Sequence, residues 1–234
     1  MTKNDDLNEL FDEWKQRRLL FCEDGILHED FYNKSPFKIL FALKDVNNPR
    51  VNRLQENEKS SDGKSLDMRR VFLETNEKEE KTWVLIFKWL SILLDDTSCP
   101  ENYFAFINLK KDEGQGSISG ATLRQYTCRD ADLIRRQIQI ISPDVVISCG
   151  KDVFESLHEC VYKNCTIRNN EIQLTEKMHD YGRLFDAGDT EKPLYIIEYC
   201  HPANRGRGTC TSEEHCQNMI VIRNFIMEKC KRNV

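Results

Sequence analysis

Three polar residues of complementary chemistry, Asp45, Asn108 and His201, lie at the ends of short apolar runs that are far apart in the chain. A carboxylate can activate water or stabilise a cation that develops on a substrate. A carboxamide carries a donor and an acceptor side by side, and an imidazole can donate to an oxygen that gains negative charge in the transition state. Together they would suit hydrolysis of a bond whose leaving group departs as an anion.

Each of these residues also has a structural interpretation, which the sequence leaves open. Aspartate and asparagine commonly cap turns, and a histidine at a strand end can simply bond to the main chain. The functional interpretation holds only if the three side chains meet at one edge of the fold.

The elements that would bring them together are four buried strands. Each predicted strand is a short run rich in β-branched and aromatic residues, and near-continuous apolar strands alternating with helices are typical of a parallel sheet covered on both faces. In such sheets ligands bind beyond the carboxyl ends of the strands. The predicted strands span residues 37–43, 103–109, 145–149 and 194–199.

The predicted fold class is α/β: a three-layer α/β/α arrangement around a central four-stranded parallel sheet. Helical patterns cover residues 83–94 and 130–141, and Ser212 begins the last predicted helix. A chain of 234 residues suits a single domain over 1–234. Within it we expect an N-terminal helical region over 1–35 and a long polar loop insertion over 47–80.

Cations follow every one of the four predicted strands. They would form a basic edge able to hold the phosphates of DNA. The net charge of −5 does not favour nucleic-acid binding, so such contacts must be local. The simpler alternative is that these lysines and arginines have no role in binding and are there because loops are generally polar. The candidate DNA-binding residues are Lys44, Lys110, Lys111, Lys151, Arg205 and Arg207.

Composition and targeting signals indicate a soluble, cytoplasmic protein without a membrane partner. The N-terminus is charged within its first six residues, unlike a secretion signal. The longest apolar run, 83–94, is interrupted by Lys88 and Ser91 and is shorter than the roughly 20 residues that span a bilayer. Neither a dinucleotide-binding glycine motif nor a P-loop is present.

Ten cysteines are spread along the chain, and we interpret them as mostly reduced thiols. Two pairs, Cys160 with Cys165 and Cys210 with Cys216 beside His215, have spacings that zinc can use but lack the C-x-x-C signature. We therefore expect no metal and no other cofactor.

Four segments, in chain order, resemble motifs of the uracil-DNA glycosylase superfamily. The resemblance covers residues 37 to about 207. The first segment holds Asp45, the second Asn108, the third has the superfamily's I-x-P-hydrophobic pattern and the fourth its His-Pro pair at His201. In this chain they read FKILFALKDVNNP, YFAFINLKK, LIRRQIQIISPDVVISCGKDVFESL and YIIEYCHPANRG.

The resemblance implies a DNA glycosylase that flips a base out of the helix and cleaves its N-glycosidic bond. Asp45 and His201 would be catalytic, Asn108 would read the base, and Arg205 would enter the vacated stack or bind phosphate. The cysteines that an iron-sulfur cluster needs are missing, so no cluster is expected. Phe72 and Leu66 are candidates for stacking on the base. Leu43 and Val46 replace the usual glycine and proline of the first motif.

Asn47 stands where the classical uracil enzymes carry a tyrosine that bars substituents at pyrimidine C5. A smaller residue there opens the pocket to a C5-modified pyrimidine. Some members that resemble this chain are phage-defence glycosylases acting on glucosylated hydroxymethylcytosine, and this is the specific hypothesis. The alternatives are excision of uracil in base-excision repair and a catalytically inactive DNA-binding protein on the same scaffold.

Overall fold

The structure is a computed structural model of the 234-residue chain. It describes residues 2–17, 22–46, 66–74, 81–95, 97–113, 118–188, 192–203 and 211–230.

The fold is α/β and is built on a mixed five-stranded sheet. Strand order is β4-β2-β5-β7-β6. The first four of these run parallel to their neighbours, whereas β6 is antiparallel to β7. A small second sheet pairs β1 with β3. The strands are β1 (Cys22–Glu23), β2 (Ile39–Val46), β3 (Leu66–Asp67), β4 (Phe106–Glu113), β5 (Val145–Cys149), β6 (Leu184–Asp186) and β7 (Tyr195–Tyr199).

The prediction of a four-stranded parallel sheet is therefore corrected: the sheet has a fifth strand, β6, which is antiparallel to its neighbour. β6 has only three residues, too few for a period-two pattern to stand out in the sequence. It closes the β7 side of the sheet.

Eight α-helices lie within the described residues, and none is long and apolar enough to cross a membrane. A π-helical turn over Leu157–Val161 continues α7. The helices are α1 (Lys3–Arg17), α2 (Glu29–Lys34), α3 (Met68–Glu74), α4 (Lys81–Leu93), α5 (Gly120–Arg129), α6 (Ala131–Ile141), α7 (Lys151–Ser156) and α8 (Ser212–Lys229).

Alternation of side chains along the strands creates two hydrophobic cores, one on each face of the sheet. Phe41 and Ile147 belong to one core, together with residues of α3, α4 and α8. Leu40 and Val146 belong to the other, together with residues of α1, α5, α6 and α7. Because both faces are covered by helices, the central strands are mostly apolar, as the sequence indicated, although Ser148 and Glu198 are buried polar residues within them.

The segment expected to be a polar loop, 47–80, contains both β3 and α3. Helix α3 contributes the buried side chains of Met68, Val71 and Phe72 to the core that also contains residues of α4 and α8. The remainder of that segment lies outside the described residues. The N-terminal region expected to be helical contains α1 and α2, with β1 between them.

We expected mostly reduced thiols; among the described cysteines seven are free and one pair is oxidised. Cys128 of α5 forms a disulfide with Cys160 in the π-helical turn. Cys160 is therefore not available to the zinc pair that its spacing to Cys165 suggested. Cys210 lies outside the described residues.

Candidate functional site

Asp45 and His201 lie at the same edge of the sheet, where the four parallel strands end. Asp45 is the penultimate residue of β2 and pairs with Lys110 of β4. His201 follows β7 by two residues. One strand, β5, separates β2 from β7, and at a strand spacing of about 4.8 Å this places the two main chains roughly 10 Å apart.

The surroundings of the Asp45 carboxylate are unfavourable for its charge. Its Oδ2 atom is buried and has no hydrogen-bond partner among the described residues. Burial raises the pKa of Asp45, while the ammonium groups of Lys110 and Lys44 act in the opposite direction. A buried, unsatisfied carboxylate oxygen is costly for the fold, and it is the feature expected of a group that waits for a substrate or a water molecule.

The His201 imidazole is held in one tautomer by the main chain. The backbone N–H of Ala203 donates to Nδ1 at 3.1 Å, so Nδ1 carries no proton and the neutral ring bears its proton on Nε2. Burial, followed by the charge of Lys44, lowers the pKa of His201. Both effects favour a neutral imidazole whose Nε2–H is available as a donor.

Lys44 links the two candidate catalytic groups electrostatically. Its ammonium forms an ion pair with Asp152 in the first turn of α7. The Asp152 carboxylate in turn lies at the N-terminus of α5, so close that a Cβ on Gly120 would lie 2.5 Å from Oδ1. The absence of a side chain at Gly120 therefore permits the arrangement that positions Lys44.

Gly150 forms the turn between β5 and α7 beside His201. Its φ of +113° belongs to a region that L-residues rarely adopt. A Cβ there would lie 3.8 Å from the His201 Cβ. The backbone of this turn therefore passes close to the His201 side chain.

Asn108 is also at this end of the sheet but is bound to a residue that the sequence did not single out. It is 3% exposed, and both its backbone N–H and its Nδ2 donate to Oδ2 of Asp24, at 2.7 and 3.1 Å. Asp24 lies in the segment that runs along the outer edge of β4. The turn-like sequence around Asp24 and Gly25 carries no chemical signature, so only the fold reveals this contact.

The expectation that Lys111 binds DNA is corrected. Lys111 is fully buried, its ammonium forms an ion pair with Asp24 and lies 5.3 Å from the centre of the Trp14 ring. Burial lowers the pKa of Lys111, and Asp24 opposes that effect. The lysine therefore belongs to the interior and does not reach a phosphate.

The other predicted cations differ in their surroundings. Lys110 is 5% exposed and donates to the main-chain carbonyl of Asp112, so its contribution is charge beside Asp45 rather than an open phosphate contact. Lys151 is exposed in the first turn of α7. Arg205, Arg207 and Asn47 lie outside the described residues.

Phe72 is not placed to stack on a base. Its ring lies in the core, where it packs edge-on against Trp83 with the ring centres 4.6 Å apart. The side chain of Leu66 lies outside the described part of the structure.

The chain thus has an α/β fold with an acid and a neutral imidazole at the carboxyl edge of its parallel strands. No protein-family model matches the chain, and no curated protein matches its sequence. In the described parts of the chain no three histidine, cysteine or acidic side chains are grouped so that they could hold a metal ion.

Proposed function

We propose that the protein is a monofunctional DNA glycosylase of the uracil-DNA glycosylase type. It hydrolyses the N-glycosidic bond of a flipped-out pyrimidine and leaves an abasic site. The observation that carries this proposal is the presence, at one edge of the sheet, of two groups: a buried carboxylate oxygen of Asp45 that has no partner among the described residues, and the His201 imidazole fixed as an Nε2–H donor.

The proposed reaction separates charge, and each group addresses one of the charges. The bond between C1′ and the base breaks with its electron pair on the base, and the Nε2–H of His201 stabilises the negative oxygen that forms. The sugar gains oxocarbenium character, which the Asp45 carboxylate stabilises. Water then bonds to C1′, and Asp45 takes the proton that this water releases.

Lys44 and Lys110 have a supporting role in this proposal. Their charges keep Asp45 ionised in spite of its burial, and Lys44 also disfavours a second proton on His201. A doubly protonated imidazole would lose the hydrogen bond from Ala203. The lysines therefore hold both groups in the protonation states that the reaction needs.

The proposed substrate is a C5-modified pyrimidine, with glucosylated hydroxymethylcytosine in phage DNA as the specific case. This rests on Asn47, a residue smaller than the tyrosine of the uracil enzymes. Excision of such a base would place the protein in antiviral defence, whereas excision of plain uracil would place it in repair.

The test is a panel of duplexes that contain uracil, hydroxymethylcytosine or its glucosylated form, scored by alkali-labile abasic sites. We expect excision of the glucosylated base by the wild type. We expect a loss of about 10²- to 10⁴-fold in Asp45→Asn and in His201→Ala. Lys163→Ala, an exposed lysine to which no role is assigned, is the control and should retain wild-type excision.

Two results would change the conclusion. Cleavage of none of the substrates by the wild type would favour a catalytically inactive DNA-binding protein. Full activity in Asp45→Asn or His201→Ala, with unchanged thermal stability, would show that the assigned roles are wrong.

A further inference from the structure

Asp24 is the centre of a fully buried polar cluster beside the candidate site. Its two carboxylate oxygens accept from three side chains on two elements: Asn108 of β4 on Oδ2, and Lys111 of β4 and Gln137 of α6 on Oδ1. The side chains of Asp24 and Lys111 are both 0% exposed. A carboxylate facing an ammonium in such surroundings acts only as an acceptor.

This acceptor determines which way the Asn108 carboxamide points. The oxygen and nitrogen arms of an asparagine are nearly the same in shape, so only its partners select one orientation. Oδ2 of Asp24 also accepts the backbone N–H of Asn108 at 2.7 Å, which fixes the carboxylate next to the amide. With Oδ1 of Asn108 turned towards Asp24, two acceptors would face each other in a buried space.

The direction of the contact places the acceptor arm of the amide towards the site. Asp24 belongs to the segment that borders β4 on its outer side, where Phe106 donates its backbone N–H to the carbonyl of Gly25. Strand β2, with Asp45, pairs with the opposite side of β4. Because Nδ2 of Asn108 is directed outwards to Asp24, its Oδ1 is the arm on the β2 side.

We infer that Asp24 is a positioning residue which locks the Asn108 carboxamide with Oδ1 towards the site, and that the site consequently favours a base with an amino group on its edge. Cytosine and its C5-substituted derivatives carry this group, whereas uracil presents an oxygen at the same position. This inference rests on the proposed function and deepens it, since it names the base class from a contact that does not involve Asn47.

The test compares two double variants that both remove the buried ion pair. Asp24→Leu with Lys111→Met removes the acceptor and frees the amide of Asn108. Asp24→Asn with Lys111→Met is the matched control, because an amide oxygen can still accept from Asn108. The readout is the ratio of excision rates for a cytosine-type base and uracil, measured in otherwise identical duplexes.

We expect the wild type and the control to prefer the cytosine-type base, and the leucine variant to lose that preference by about tenfold or more. An unchanged ratio in an active leucine variant would overturn the inference and leave the proposed function intact. A wild type that excises no base would overturn both.

A second measurement does not depend on activity or on the folding of a variant. In the wild type, the side-chain amide protons of Asn108 should exchange with solvent far more slowly than those of exposed asparagines, as followed by ¹⁵N NMR. Exchange as fast as that of an exposed asparagine would show that the amide is not locked and would overturn the inference.

Discussion

At the scale of single residues, the ammonium of Lys44 acts electrostatically on both Asp45 and His201. It lowers the pKa of both groups. For Asp45 this opposes the larger effect of burial, which raises the pKa; for His201 it adds to the larger effect of burial, which lowers the pKa. The catalytic form that we propose has Asp45 ionised and His201 neutral, so activity must fall as pH decreases through either pKa. The lysine therefore extends the active range towards acid.

Lys44→Met should move the acid limb of the pH-rate profile to higher pH. Loss of the positive charge raises the pKa of Asp45 and of His201, and the Asp152 carboxylate left behind acts in the same direction. The measurement is kcat/KM for base excision across pH in the wild type and the variant. Lys151→Met is the control, and a limb that moves equally in both variants would count against a specific role for Lys44.

Lys111→Met should destabilise the protein by about 3–5 kcal/mol, because it leaves the buried Asp24 carboxylate without its counter-ion. Urea unfolding gives this free energy directly. Asp24→Asn combined with Lys111→Met should recover most of the loss, since no buried charge then remains and the amide oxygen still accepts from Asn108. A single variant as stable as the wild type would show that Lys111 and Asp24 are not a buried pair.

Residue types alone indicated part of the site. Asp45 and His201 stood out because each follows an apolar run, and the strand order places both at one edge. Lys111 was misjudged because lysine is almost never fully buried unless it is paired, and its partner Asp24 is 87 positions away. Contacts of that kind depend on the fold and leave no local trace in the sequence.

At the scale of elements, the disulfide between Cys128 and Cys160 joins α5 to the turn after α7. Both helices support the site, α5 through Gly120 and α7 through Asp152. The cross-link closes a loop with a sequence separation of 32 residues. It therefore stabilises the part of the molecule that holds Lys44 in place.

Reduction should lower the stability of the protein by about 2–4 kcal/mol. The check is thermal unfolding with and without a phosphine reductant. Cys128→Ser with Cys160→Ser should unfold at the temperature of the reduced wild type and should not respond to the reductant. A melting temperature of the wild type that is insensitive to complete reduction would contradict this.

The sequence predicts the longer helices and strands better than the short ones, because a periodic pattern of apolar residues needs length to be recognised. The strand at 145–149 was predicted with its observed bounds, and the helix expected at 130–141 spans Ala131–Ile141. β6 and α3 were missed because three and seven residues carry too little periodicity. The spacing of cysteines likewise does not reveal that Cys128 and Cys160 meet.

At the scale of the whole molecule, an acidic protein is proposed to bind a polyanion. The net charge of −5 opposes binding at a distance, so local cations must account for the affinity. Of the predicted cations that the structure describes, Lys151 is the most exposed, with 67% of its side chain accessible. It is therefore the residue whose phosphate contact can be isolated best.

Lys151→Ala should weaken binding to duplex DNA to a similar degree for every sequence, and should reduce the slope of log K against log salt concentration by about one. Fluorescence anisotropy at several salt concentrations gives both quantities. Lys111→Met, which alters a buried lysine, should leave the slope unchanged at a temperature where it is folded. Equal slopes for wild type and Lys151→Ala would exclude a phosphate contact at this position.

A bridge to a neighbouring segment occupies part of each lateral edge of the five-stranded sheet. Ile26 forms an antiparallel bridge to Ala105 next to β4, and Arg168 forms one to Leu184 on the outer side of β6. Open strand edges are the usual sites at which proteins join through main-chain hydrogen bonds or begin to aggregate. Main-chain pairing with a second protein is thus blocked at Ala105 and at Leu184, where these bridges lie.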